Sequence, residues 1–267
     1  MSVVTIHPLT SLDLPDLQEF QPVGWSDIIS NIQFYLSSAF CNPIKLLCDG
    51  QLAGIGTTIL LGETAWLATI IVHTDHRNKG YGTKITEALL QSLDSTKCTT
   101  VFLIATALGE PVYKKVGFEV ETEYAGFSGG NIDALTPDRI IVFEEKYTDD
   151  ILRLDKKITG EDRSLLLREH LPLAQLHFVG DKLGGFYLPT LGEGPIVAED
   201  SESGITLLTQ KMQTVNTITL PIDNEGGIDF LLNHRYKRVR HLSRMRLGRK
   251  IAWQPDRIYS RISGVSG

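Results

Sequence analysis

Positions 72–83 read Val-His-Thr-Asp-His-Arg-Asn-Lys-Gly-Tyr-Gly-Thr, an apolar strand running into an Arg, a Gly-x-Gly and an amphipathic helix. A strand that turns directly into a helix leaves several backbone N–H groups aimed at one point, where the helix dipole adds partial positive charge. Gly80 and Gly82 take side chains away from that backbone, and Arg77 and Lys79 set cations beside it. The chemistry this supports is anion binding, with phosphate the usual occupant. The glycine order is not that of a Walker-type loop, nor of the dinucleotide fingerprint, whose βαβ unit carries no such Arg. His73 and His76 have H-x-x-H spacing but no further ligand, so no metal is expected.

The elements that must hold this stretch follow from periodicity. Val3–Thr10 reads as a strand and Leu12–Phe20 as a short helix. A second helix follows, with Ser26 as N-cap and Ile28, Ile29, Ile32, Tyr35 and Leu36 at helical spacing. Residues 45–72 divide into three strands at the Asp49-Gly50 turn and the 61–64 turn. A helix from about Gly82 carries Ile85, Leu89 and Leu93 on one face; a buried strand, a short helix ending at Gly117 and a last strand complete β-α-α-β-β-β-α-β-α-β. From about Leu183 a fainter echo reads strand-strand, helix, strand, helix, strand, with Tyr236 standing where Phe118 stood.

With "VHTDHRNKGYG" followed by "GEPVYKKVGF", the chain resembles the GNAT acetyltransferase superfamily. There, V-x-P-x-Y-R-x-x-G-x-G opening a helix holds the pyrophosphate of acetyl-CoA, and a Tyr-containing "lYeklGF" segment closes the fold. Thr74 and His76 replace the commoner Pro and Tyr, while "VYKKVGF" is complete. "LDKKITGEDRSLLL", "GEGPIVAED" and "RMRLG" extend the likeness to a two-domain subgroup. The resemblance implies an α/β (α+β) fold with a mixed, mostly antiparallel sheet. Residues 1–145 would form a GNAT domain and 146–267 a degenerate GNAT-like domain without a cofactor loop.

The resemblance also implies roles. The backbone of Arg77, Asn78, Lys79, Gly80, Tyr81, Gly82 and Thr83 would wrap the pyrophosphate of acetyl-CoA. Ile70, Ile71 and Val72 would lie beside the pantetheine arm, an N–H near Val72 serving as oxyanion donor. Tyr113 would be the general acid toward the departing thiolate. Glu63, His73 and His76 are the side chains considered for the base, with Glu63 more readily read as a solvated hairpin residue. Trp25 opens the second helix, where an acceptor pocket often forms. Asp155 and Arg163 match subgroup positions, with a cap and a surface ion pair as the plain explanation. In the second half no Arg and no Gly-x-Gly follow the counterpart strand, and Leu231 stands at the place of Tyr113.

These features point to an N-acetyltransferase acting on an amine, a small molecule favoured as acceptor. The alternative is an acyl-CoA-binding sensor without turnover. A net charge of -6 divides into 8 Lys+Arg against 17 Asp+Glu over residues 1–145, leaving 18 against 15 over 146–267, which suggests two units. The run 234–250 holds eight Lys or Arg, read as a solvated strand face or a contact with the acidic first domain ahead of a nucleic-acid surface. Cys41, Cys48 and Cys98 show no metal spacing and read as three buried thiols of a cytoplasmic protein. Neither a secretory signal nor a membrane-length apolar run is expected, and nothing in the sequence fixes an oligomeric state.

Overall fold

A computed structural model describes residues 2–25, 27–132 and 140–264. The chain divides into two compact units, residues 1–119 with 246–249, and residues 120–245 with 250–267.

The first unit runs β1 (Val4–Pro8), a 3₁₀ helix (Ser11–Phe20), α1 (Ile28–Ser37), β2 (Cys41–Cys48), β3 (Gln51–Leu61), β4 (Thr64–Val72), a 3₁₀ turn (Thr74–His76), α2 (Tyr81–Gln91), β5 (Thr100–Ala105) and α3 (Glu110–Lys115). Strands β1 to β4 form an antiparallel meander, and α2 crosses over to bring β5 parallel to β4. The element order is the expected one. Asp49 and Gly50, at φ 51° and 83°, make the tight β2–β3 turn, and Gly62, at φ 68°, the next. The first helix is 3₁₀ rather than α, since Pro15 inside it cannot donate a backbone hydrogen bond. Ser26 lies outside the described residues; Asp27 caps α1, its carboxylate accepting from the N–H groups of Ile29 and Ser30 at 2.9 and 3.2 Å.

Helix α2 presses on β3 where that strand has no side chains. A Cβ on Gly54 would stand 2.6 Å from Ile85 Cδ1, and one on Gly56 2.7 Å from Ile85 Cγ2 and 2.9 Å from Leu89 Cδ1. The two glycines are therefore sockets for Ile85 and Leu89, both fully buried. Cys48 is buried, but Cys41 and Cys98 are only half-buried, which corrects the reading of three buried thiols. Cys41 begins β2, and Cys98 lies in the turn before β5, its thiol 3.4 Å from the Thr100 carbonyl.

The second unit takes most of β6 (Glu119–Ser128), then β7 (Ile141–Val142), α4 (Thr148–Thr159), α5 (Ser164–Leu167), β8 (Gln175–Val179), β9 (Lys182–Tyr187), β10 (Ile196–Ala198), α6 (Ser201–Met212), β11 (Thr217–Pro221), α7 (Glu225–Asn233), most of β12 (Lys237–Gly248) and β13 (Ile258–Ser260). It holds a five-stranded sheet in the order β13-β10-β9-β8-β7, while β6 lies between β12 and β11. Its apolar core gathers Phe127, Leu207, Leu208, Leu231 and Tyr236. The repeat is visible in hydrogen bonds. Phe118 N–H donates to Tyr113 O at 3.1 Å, and Tyr236 N–H to Leu231 O at 3.0 Å. The residue before each donor, Gly117 at φ 96° and Arg235 at φ 67°, is left-handed.

Candidate active site

Strand β4 is the spine of the site. Its parallel pairing with β5 runs from Thr64 to Trp66, although β4 continues to Val72 and β5 to Ala105. Beyond Trp66 the edge of β4 turned toward β5 is thus unpaired with it, leaving backbone donors and acceptors for something else. A bulge accompanies this. Against β3, Ala68 faces Thr57 and Ile71 faces Ile55, so Thr69 and Ile70 together oppose Gly56. Thr69 takes φ 50°, a left-handed conformation that costs a β-branched residue about 1–3 kcal/mol. Its hydroxyl lies 3.2 Å from that of Tyr35 on α1, both side chains buried. Ile71 is buried, with Ile70 and Val72 half-buried.

After Val72 the chain is held from within. His73 Nδ1 accepts from Asp75 N–H at 3.3 Å, capping the short turn. Arg77 Nε donates to Val72 O at 3.3 Å and Lys79 Nζ to Asp75 O at 3.0 Å, which keeps both cations against the loop. Asn78 and Gly80 are left-handed at φ 60° and 79°. Gly80 is the N-cap of α2, and among the described residues no side chain caps the helix start there. The first-turn N–H groups of α2 therefore face an uncapped end bordered by two cations. A Cβ on Gly80 would meet nothing within 4 Å, so glycine is needed for its φ; on Gly82 it would touch Val112 Cγ1 at 3.5 Å, an ordinary contact. The Tyr81 side chain is buried with its hydroxyl 3.1 Å from Cys48 Sγ, leaving only its backbone for a ligand. Thr83 is half-buried on the first turn.

Tyr113 comes to the same end of β4. Val112 and Val72 side chains both lie within 4 Å of the place of a Cβ on Gly82, so α3 stands beside the loop. The Tyr113 ring covers Gly109, where a Cβ would stand 2.9 Å from Cε2, and meets Phe118 edge-on at 6.2 Å. Its hydroxyl makes no hydrogen bond among the described residues, and burial pushes its pKa up to about 12.

Other candidates fare differently. Glu63 is exposed in the β3–β4 turn, the full nine residues of β4 away from the loop, or about 30 Å. Its carbonyl accepts from Thr99 N–H at 2.8 Å, and the structure does not bring it to the site. The two histidines are held against the loop. The Nδ1 lone pair of His73 is already engaged, and His76 stacks on Tyr81 at 6.0 Å with Nδ1 sealed from solvent. Trp25, 38 % exposed, stands in the bend before α1 rather than opening the helix. Its segment follows Phe20, whose ring packs on His73 at 5.2 Å. The Thr69 bulge and its Tyr35 partner are the features sequence reading missed; a Thr inside an apolar strand gives no sign of a positive φ.

In the second unit the strand–helix junction after β10 is closed. The Asp200 carboxylate caps α6, accepting from Ser203 N–H at 2.8 Å and from Ser203 Oγ at 3.2 Å. A fixed carboxylate thus occupies the position where α2 presents free N–H groups. Leu231, at the place of Tyr113, is fully buried. Asp155 and Arg163 form a buried bidentate pair at 3.0 and 2.5 Å, not a surface one, because α4 turns Asp155 into the unit's core.

Two family models match: "Acetyltransferase (GNAT) family" over residues 6–118 and "Acetyltransferase (GNAT) domain" over residues 151–260. The uncharacterized N-acetyltransferase YitH of Bacillus subtilis (strain 168) is 24% identical over 223 residues, 78% of each chain. The holothin acyltransferase of Pseudoalteromonas sp. (strain SANK 73390) is 24% identical over 219 residues, 76% of this chain and 73% of that one. Among solved structures, a candidate acetyltransferase of Pyrococcus horikoshii shares the fold with a TM-score of 0.84 at 21% identity, covering 99% of this chain and 96% of the other. A GCN5-related N-acetyltransferase of Kribbella flavida superposes with a TM-score of 0.58 at 13% identity, over 92% and 71%.

Proposed function

The chain belongs to the GNAT acetyltransferase family, and on that premise we propose that it transfers an acetyl group from acetyl-CoA to the amine of a small molecule. The observation that carries this is the uncapped start of α2 at Gly80, next to a β4 edge that β5 leaves unpaired. Both fit the group: an open, cation-flanked cradle of N–H donors suits a pyrophosphate, and a free strand edge suits an amide-bearing arm.

In this reading the backbone of residues 77–83 binds the pyrophosphate, and Ile70, Ile71 and Val72 orient the pantetheine arm through their main chain. When bound, acetyl-CoA supplies an acetyl group activated as a thioester. A β4 N–H near Val72 then holds the negative charge that develops on the carbonyl oxygen as the amine attacks. Tyr113 presents its Oη proton to the sulfur that must leave. That the phenol has no other partner among the described residues supports this role. The second unit, with Asp200 in the anion position, neither binds acetyl-CoA nor catalyses.

Calorimetry with acetyl-CoA tests the reading. Wild type and Tyr113→Phe should bind, while Arg77→Ala/Gly80→Glu, which puts a carboxylate at the helix start, should not. A wild type without affinity would reduce the loop to a turn and end the enzyme reading. Binding by wild type makes a CoA-release screen over an amine library the next step, and binding without CoA release, whichever amine is added, would instead favour the sensor.

A further inference from the structure

We infer that Tyr35 is a positioning residue for the thioester end of the acetyl-CoA site, acting by holding Thr69 in the left-handed conformation that forms the β4 bulge. The inference rests on the reading of β4 as the strand that binds the pantetheine arm.

Three observations converge on it. First, where a two-for-one bulge opens on a left-handed residue, that residue is ordinarily glycine, because any Cβ is penalised at positive φ. Here it is a β-branched threonine at φ 50°, so something must hold the conformation in place. Second, the side chain that meets it is Tyr35, whose hydroxyl is 3.2 Å from Thr69 Oγ1. Tyr35 is 2% exposed and Thr69 3%, so neither hydroxyl can turn to water instead. Third, the bulge lies just before the residues whose main chain the mechanism uses. The extra residue breaks the alternation of β4, so the direction of the N–H groups at Ile70 to Val72 is set by the backbone angles of Thr69. Tyr35 touches no reacting atom in this scheme. It acts through Thr69, and its helix, α1, reaches the strand from outside the cofactor loop.

The test uses Tyr35→Phe, Thr69→Gly and the double variant, with two readouts. One is affinity for CoA by calorimetry. The other is the infrared carbonyl band of carbonyl-labelled acetyl-CoA, which moves to lower wavenumber when an N–H polarises the thioester. In wild type the band should shift on binding. Tyr35→Phe should lose that shift while keeping wild-type affinity for CoA, since the loop that holds the pyrophosphate is untouched. The double variant should recover the shift, because glycine takes the left-handed conformation unaided and removing both hydroxyls leaves no buried donor unpaired. Loss of CoA affinity in step with the carbonyl shift, or a double variant no better than Tyr35→Phe, would overturn the inference and leave Tyr35 a packing residue. A wild type that binds CoA with no carbonyl shift overturns it as well. A wild type that binds neither ligand instead brings down the cofactor reading beneath it.

Discussion

At the scale of single residues the decisive question is what a phenol can do at the place of Tyr113. Its pKa is pushed up to about 12 by burial, so the hydroxyl carries its proton at any pH the enzyme meets. Handing that proton outright to a thiolate, whose thiol has a pKa near 8.5, would be uphill by roughly 5 kcal/mol. In the proposed mechanism Tyr113 is therefore better suited to stabilise the thiolate by a hydrogen bond than to protonate it fully. A bond to a charged acceptor is worth about 1.5–3 kcal/mol, so Tyr113→Phe should lower kcat by roughly 10- to 100-fold. The same factor should hold from pH 7 to 10, with KM for acetyl-CoA unchanged. Rate profiles of both forms against pH check this. A wild-type rate that falls near pH 10, with no such fall in the variant, would show an ordinary phenol donating its proton. The nearness of Tyr113 to the loop glycines was legible because a motif fixes these residues by type and spacing. Thr69, Tyr35 and the internally bonded Arg77 were not, since backbone angles and the direction of a side chain leave no trace in residue type.

At the scale of elements the site depends on how closely α2 approaches β3. Gly54 and Gly56 let Ile85 and Leu89 sit directly on the strand, which sets the height of the helix start above the end of β4. Gly56→Ala would place a Cβ 2.7 Å from one of these side chains and 2.9 Å from the other, with both fully buried and little room to yield. Overpacking of this kind costs about 1–3 kcal/mol, read as a lower urea midpoint at unchanged m. Gly56→Ala/Ile85→Val should recover part of the loss, and no recovery would place the strain elsewhere. Element order was readable from periodicity, because long apolar faces at period 2 or 3.6 dominate the pattern. The short strands β7, β8 and β13 were not expected. Burial of the Asp155–Arg163 pair escaped because composition predicts that charges lie outside, and only packing shows where they do not.

At the scale of the whole molecule, part of the basic run 234–250 resolves into local pairing. Glu119, Glu121 and Glu123 alternate along β6 and meet Arg246, Arg244 and His241 at 3.1, 3.1 and 3.5 Å, which occupies part of the basic run 234–250 without a nucleic acid. The second unit also buries Lys211, whose Nζ donates to the carbonyls of Glu193 and Gly194 and to Ser260 Oγ. Burial pulls its pKa down to about 8, with the Glu193 carboxylate opposing and Arg261 adding to the shift. The sign of the consequence follows from proton counts. Below pH 8 folded and unfolded chains both carry the proton. Between about 8 and 10.5 the unfolded chain holds a proton that the folded one has lost, so stability contributed at Lys211 rises with pH through that window. The gain is at most about 3 kcal/mol, reduced because the neutral amine can donate to only two of its three acceptors. Buried phenols such as Tyr124, held above their ordinary range by desolvation, act in the opposite sense only above about pH 10. Urea unfolding of wild type and Lys211→Met at pH 7.5 and pH 9.5 should therefore show the wild type gaining on the variant at the higher pH. A constant difference would mean that the three acceptors keep the ammonium charged throughout, and that its burial is fully offset by their hydrogen bonds.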